Sequence, residues 1–364
     1  MTTRERWLAA MKMEPVDRLP VWPKLLNKNY VRHHSTRLPN TDMSLEELNS
    51  YFGSDELVRL PDFTKTMRKN TATSVVEEAE NRITTYTTPI GSTRLVHRID
   101  KSTDSIHPVE FPIAGRDDLR TMTCHFQDAV PQLDEKALEK AIAIVDERGG
   151  TASTMSWVGK SPLMQLVENL AGVEQAHYLL ADHPREVEAL FDAMHYFNVE
   201  KTKIMAKHSP ADAIYFIENT STTLISPTQF QAYCVKHLEE YGNIIRDEGK
   251  IYALHMCGHL KALLPGLANS SASVFESFTS PTLGNTRFID GRTVCPDTCL
   301  VGGTNAMVWT EPAPIIINYL KSELDTLPHH RGIAVTSAGV LPPHCRPDVV
   351  RAVCDWVKEY PVRN

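Results

Sequence analysis

The chain has 364 residues, 42% hydrophobic and 23% charged, with a net charge of −7, the composition of an ordinary globular protein. An acidic chain without a basic stripe is a poor fit to nucleic acid. No uninterrupted run of about 18 apolar residues suggests a membrane span, and the start, "MTTRERWLAAMKMEPVDRLP", lacks the apolar core of a signal peptide. Seven scattered cysteines read as reduced thiols of a cytoplasmic protein.

The first segment predicts a helix to about Lys12, then a strand from Leu19 in "DRLPVWPKL". Residues 44–52, "SLEELNSYF", predict a capped helix with Ser44 and Glu47 in capping-box spacing. Residues 81–100 read as an antiparallel excursion, its β-branched runs divided by Pro89 and Gly91. A long helix, "DEKALEKAIAIVDERGG", ends at Gly149.

A regular pattern follows. Short apolar runs at 151–157, 212–219, 250–258, 272–279, 299–305 and 332–339 each end in polar or small residues, and most precede a helix. One such helix is well marked: Ser226 caps it, Pro227 takes the first turn, and Gly249 stops it. Phe230, Cys234, Leu238, Tyr241 and Ile245 form its apolar face. Strands alternating with helices imply a parallel sheet. Six such runs plus the N-terminal one fit an α/β protein with a closed (β/α)8 TIM barrel and an N-terminal helical and β-hairpin extension. A doubly wound open sheet is the alternative. With no repeat or linker, 1–364 reads as a single domain.

In a barrel of this kind the active site lies at the C-terminal ends of the strands. Glu218 and Asn219 end one run, His255 and Cys257 the next; Glu276 sits late in the following run, and Asn305 and Ser337 end the last two. In "KIYALHMCGHL", His255 and Cys257 are two apart and so share a face in an extended chain. Gly258 then lets the backbone turn away. Imidazole, thiolate and carboxylate are all zinc ligands, and three of them with one open place is a catalytic arrangement. The competing reading is a core histidine beside a buried cysteine. Glu218 is expected to orient His255, to accept a proton, or to be a solvated loop acid. Gly302 and Gly303 in "GGTN" are expected to let the strand end approach a cofactor, with Asn305 beside it. Trp22, Trp157, Tyr215 and Phe216 either wall an aromatic substrate or pack the barrel. His33, His34, His329 and His330 read as solvated loop histidines, and Cys295 and Cys299 as structural or surface thiols at the opposite end.

Four stretches carry a resemblance. "TRERWLAAMKMEPVDRLPV", "ENTSTTLISPTQFQAYCVKHLEEY", "HMCGHLKALLPGLANSSASVFESFTSPTLGN" and "GIAVTSAGVLPPHCRPDVVRAV" resemble the uroporphyrinogen decarboxylase superfamily, and within it the zinc-dependent, cobalamin-linked methyltransferases. The decarboxylases carry an Arg-Gln-Ala-Gly-Arg-Tyr stretch after the first strand; here "VWPKLLNKNYVRHH" lacks those substrate-clamping arginines. The resemblance implies Zn2+ held by His255, Cys257 and Glu276. Methyltransferases of the coenzyme M type add a cysteine in the last strand's loop, where this chain has Val340 and, five residues on, Cys345. Either Cys345 reaches the metal or that thiolate is lost. No Asp-x-His-x-x-Gly motif for cobalt is present, so the corrinoid is expected on a separate partner protein. A site with a single thiolate leaves more positive charge on its metal, which favours activating an ether oxygen. The implied function is therefore transfer of a methyl group from a small-molecule ether to a corrinoid protein. Methylcorrinoid:thiol or methylcorrinoid:folate transfer is the alternative, and a decarboxylase-like lyase a more distant one.

Overall fold

The computed structural model describes residues 1–25, 29–100 and 105–364. Eight strands form one sheet: β1 (Val21–Trp22), β2 (Leu57–Arg59), β3 (Ser153–Trp157), β4 (Ala213–Ile217), β5 (Ile251–His255), β6 (Val274–Phe278), β7 (Cys299–Gly303) and β8 (Ile333–Thr336). They pair in the order β1-β8-β7-β6-β5-β4-β3-β2, every pairing parallel. The expected TIM-type barrel is present, with β2 as the strand that sequence reading did not find. No ladder joins β1 to β2. Asp55 bridges that seam: its N–H donates to the Val21 carbonyl at 2.6 Å, and its Oδ2 accepts from the Val21 N–H at 3.1 Å. Arg6 at 2.7 Å and Arg18 at 2.6 Å neutralise the buried carboxylate, as an ion buried away from water requires.

Alternation along the strands produces two cores. Trp22, Leu57, Met155, Ala213, Tyr215, Ala253, Val274, Cys299, Val301 and Ala334 fill the barrel, with Trp7 and Met11 of the helix Thr3–Met11 packed among them. Their outward neighbours, including Val21, Ile214, Phe216, Tyr252, Leu254, Phe275, Leu300 and Val335, meet the surrounding helices. Phe216 therefore stacks on Tyr241, ring centroids 4.5 Å apart, and cannot line the barrel interior.

Local signals explain the helices. Ser44 and Glu47 make the capping box of Leu45–Phe52. Asp134 caps Glu135–Arg148, and Gly149 follows its end. The helix after β4 runs from Pro227 to Asp247, with a π-helical turn at Gln231–Val235; its five expected apolar positions are all buried. The antiparallel excursion is the centre of a four-stranded sheet, Ala72–Glu78, Asn81–Thr88, Gly91–Asp100 and Ser105–Glu110. This sheet is inserted between β2 and β3.

Two expected loop histidines are buried. His330, 0% exposed, accepts from the Arg363 N–H at 2.9 Å and packs on Tyr360. His34, 3% exposed, packs on Tyr30. Neither has the solvent its sequence neighbourhood suggested. Among the described residues, no helix is long and apolar enough to cross a membrane.

Candidate active site

The strand ends gather their polar side chains at one mouth. Lys24 follows β1, Arg59 ends β2, Trp157 ends β3, Asn219 follows β4, His255 ends β5 and Glu276 lies in β6. His255 stands in register with Glu276 on the neighbouring strand, and both have the inward parity of Ala253 and Val274. His255 Nδ1 and Glu276 Oε2 form a short hydrogen bond. The other carboxylate oxygen, Oε1, is ion-paired with Lys24 Nζ, and the same ammonium donates to Ser277 Oγ. Cys257 lies close enough to His255 to raise its pKa, and donates from Sγ to Asn219 Oδ1 at 3.2 Å.

Electrostatics follow from these contacts. Burial pulls the Glu276 carboxyl upward, but Lys24 and His255 outweigh it and hold it well below the usual carboxylate range. Burial is the largest single influence on His255 and works against its charged form, but the Glu276 carboxylate together with the neighbouring polar contacts leaves its pKa raised. The backbone is strained at the same place. Left-handed φ occurs at Lys24 (50°), Asn219 (44°), Ser277 (64°) and Ala338 (48°), all at or just beyond the C-terminal ends of strands. At Ser277 the β6–β7 register shifts between Glu276 and Phe278. Strained non-glycine residues and bulges of this kind concentrate at functional sites.

Asn219 links Cys257 to a second charged pair. Its Nδ2 donates to Glu168 Oε2 at 3.0 Å, and that carboxylate is ion-paired with Lys160. Glu168 lies in the π-helical turn Leu166–Leu170, a local widening that often marks functional positions. Glu218 does not reach His255 with its side chain. It has the outward parity of Ile214 and Phe216, is fully buried, and accepts from the Ser161 N–H at 2.8 Å and the Ser161 hydroxyl at 2.5 Å. It is thus neither a solvated acid nor an orienting partner of His255; it ties β4 to the helix layer.

The remaining candidates have local partners. A Cβ on Gly302 would meet the Phe278 carbonyl oxygen at 2.2 Å, and one on Gly303 the Phe288 ring at 2.4 Å. The close approach that these glycines permit is to β6 and to the helix Phe288–Val294. Asn305 accepts from the Met307 and Val308 N–H groups at 3.1 and 3.2 Å, and donates to the Pro281 carbonyl at 2.7 Å, which makes it a cap. Cys345 is 1% exposed in the outer core. Its carbonyl accepts from the Tyr30 hydroxyl at 2.6 Å, and burial alone pushes its thiol up to about 12. Lys24 and Arg59 were missed in the sequence.

Zinc accepts nitrogen, sulfur and oxygen donors in a tetrahedron. The donor chemistry of His255, Cys257 and Glu276 fits it: an imidazole and a carboxylate hydrogen-bonded to each other at the mouth, with a thiol two residues on from the imidazole. Among the described residues, no three such side chains already surround a common point. The donors are turned onto one another, and Lys24 holds one Glu276 oxygen while the other faces His255.

A methyltransferase from Methanosarcina mazei has a similar fold, with a TM-score of 0.60 and 17% identity over 99% of both chains. A structure described as a vitamin-B12 independent methionine synthase from Listeria monocytogenes has a TM-score of 0.40 and 12% identity, over 61% of this chain and 68% of that one. No curated protein matches the chain. The family model for uroporphyrinogen decarboxylase (URO-D) matches residues 129–360, a stretch that holds β3 to β8 together with Asn219, His255, Cys257 and Glu276. With more than half of its length and six of its eight barrel strands inside that match, the chain belongs to the uroporphyrinogen decarboxylase family.

Proposed function

We propose that this chain is a zinc-dependent methyltransferase that moves a methyl group between a small molecule and a corrinoid carried by a separate protein. The observation that carries the reading is the His255, Cys257 and Glu276 cluster at the mouth of a URO-D barrel. The similarity in fold to a protein named as a methyltransferase, end to end, supports it. So does the lack, in "VWPKLLNKNYVRHH", of the arginines of a true decarboxylase.

Zinc held by His255, Cys257 and Glu276 would supply Lewis-acid activation of an ether oxygen, or thiolate formation from a thiol substrate. The chain's own groups prepare that site. Glu276, kept anionic by Lys24 and His255, offers a charged oxygen without waiting for a proton to leave. Asn219, accepting the Cys257 S–H, fixes where the sulfur points. Trp157, 5.9 Å from His255 between ring centroids, and Tyr215 form an apolar wall beside it and exclude water from the reacting oxygen.

A methyl ether is the favoured donor, because a centre with one thiolate retains more positive charge for an oxygen than a thiolate-rich one. The reverse assignment, methylcorrinoid to a thiol or folate, uses the same groups. The corrinoid arrives on a partner because this chain has no cobalt-binding histidine motif. Its seven free cysteines suit a reducing cytoplasm. The test is methyl transfer between a methyl ether and a reduced cognate corrinoid protein, followed by corrinoid absorption with and without this chain. A change that requires the chain supports the reading. If ethers, thiols and folates all leave the corrinoid unchanged while a decarboxylation proceeds, the reading is wrong.

A further inference from the structure

The inward-facing groups at the mouth do not balance in charge. Lys24 is matched by Glu276, and Glu168 at the rim by Lys160. Arg59 has no carboxylate partner among the described residues. Its guanidinium carbon lies 4.4 Å from the centroid of the Trp157 ring, and the residue is exposed. Stacking of this kind occupies the face of the guanidinium and leaves its edge, with its N–H donors, open.

Hydrogen bonding leaves indole donors open on the strands beside Arg59, while Glu168 Oε1 and the Tyr215 hydroxyl are also buried without a partner. The indole N–H groups of Trp22 and Trp157 are buried and have no partner. Trp22 is 1% exposed, so water does not readily serve it, and an unpaired buried donor calls for an acceptor. Both indoles belong to the inward set, on β1 and β3, and flank the strand that carries Arg59. One spare cation and two orphaned donors on neighbouring strands describe a site for an anionic, acceptor-only group; the charge of the Glu168 carboxylate, whose Oε1 is also without a partner, is already met by Lys160. A carboxylate meets that description, and its planar fork matches the guanidinium edge.

We propose that the substrate carries a carboxylate on a planar apolar body, and that Arg59 receives the carboxylate at the rim while the body lies along Trp157. This deepens the methyl-transfer reading and rests on it for the identity of the reacting group. It also places a substrate-binding arginine on β2, outside the stretch where the decarboxylases carry theirs.

The test is direct binding of 4-methoxybenzoate and of methoxybenzene, followed by tryptophan fluorescence without any corrinoid. Wild-type protein is expected to bind the carboxylate on the order of tenfold or more tightly than the neutral ether. Arg59→Gln should abolish that preference and Arg59→Lys should keep part of it; the exposed position leaves the fold unaffected, which circular dichroism checks. Equal affinity for both probes, binding of neither, or a preference that survives Arg59→Gln overturns the proposal. Corrinoid methylation from ethers without any preference for a carboxylate would also sink it, while leaving the methyl-transfer reading intact. A carboxylate preference lost in Arg59→Gln, without methyl transfer from any donor, would support the proposal and remove the methyl-transfer reading.

Discussion

Lys24 and Glu276 form an ion pair inside the barrel mouth, with side chains 6% and 2% exposed. One comes from the turn after β1, the other from the middle of β6. Breaking a buried pair by removing one partner leaves an uncompensated charge. Lys24→Met should therefore destabilise the metal-free protein by about 3–5 kcal/mol. On the proposed zinc site the metal would supply a replacement cation, so added zinc should raise the melting temperature of the variant more than that of wild type. Equal zinc-dependent shifts would show that Lys24 and the metal do not share Glu276.

Asn219 combines a left-handed backbone with a hydrogen bond to the Cys257 sulfur. Asn219→Gly relieves the backbone cost and removes the amide. The expected result is unchanged or slightly higher thermal stability, with methyl transfer slowed on the order of tenfold, as expected for a lost positioning contact. Retained turnover would reduce Asn219 to a turn residue.

Glu218 sets a pH dependence of stability. Burial pushes its carboxyl up to about 7, against the hydrogen bonds from Ser161, from an ordinary value of 4.5. The folded state thus holds a proton that the unfolded chain releases. The stabilisation is complete below the unfolded value and is lost as pH rises through the folded one. Urea unfolding at about pH 5 and about pH 8 should show a larger loss for wild type than for Glu218→Gln. His255, also raised, adds the same sign to both proteins, so parallel losses would contradict the assignment.

Cys345 is expected to matter for packing. Cys345→Ser places a hydroxyl in an apolar site and should cost about 1–3 kcal/mol in urea unfolding, with zinc content unchanged. Zinc loss as deep as in Cys257→Ser would instead make Cys345 a ligand.

The barrel was legible in the sequence because short apolar runs alternate with helices, and the ends of those runs put His255, Cys257 and Glu276 at one rim. The in/out parity applied to His255 and Cys257 would equally have turned Glu218 outward with Ile214 and Phe216 had it been applied to the preceding strand. Lys24 was hidden because β1 is two residues long and the lysine follows it in a left-handed turn that no local signal marks. Arg59 was hidden for a similar reason. "LVR" before Leu60 and Pro61 is too short for a periodic signal, and only pairing with β3 makes it a strand. The glycines of "GGTN" read as letting the strand end approach a cofactor because the neighbours they do approach, Phe278 and Phe288, are distant in sequence. The two buried histidines likewise owe their burial to contacts made from elsewhere in the chain.

The central claim is a metal centre with one thiolate at the barrel mouth, and X-ray absorption at the zinc edge of the purified protein tests it most directly. The account predicts near-stoichiometric zinc bound through one sulfur, at about 2.3 Å, with nitrogen and oxygen in the other places, and a sharp loss of zinc in Cys257→Ala. A shell of two sulfurs, or zinc undiminished in Cys257→Ala, would contradict it.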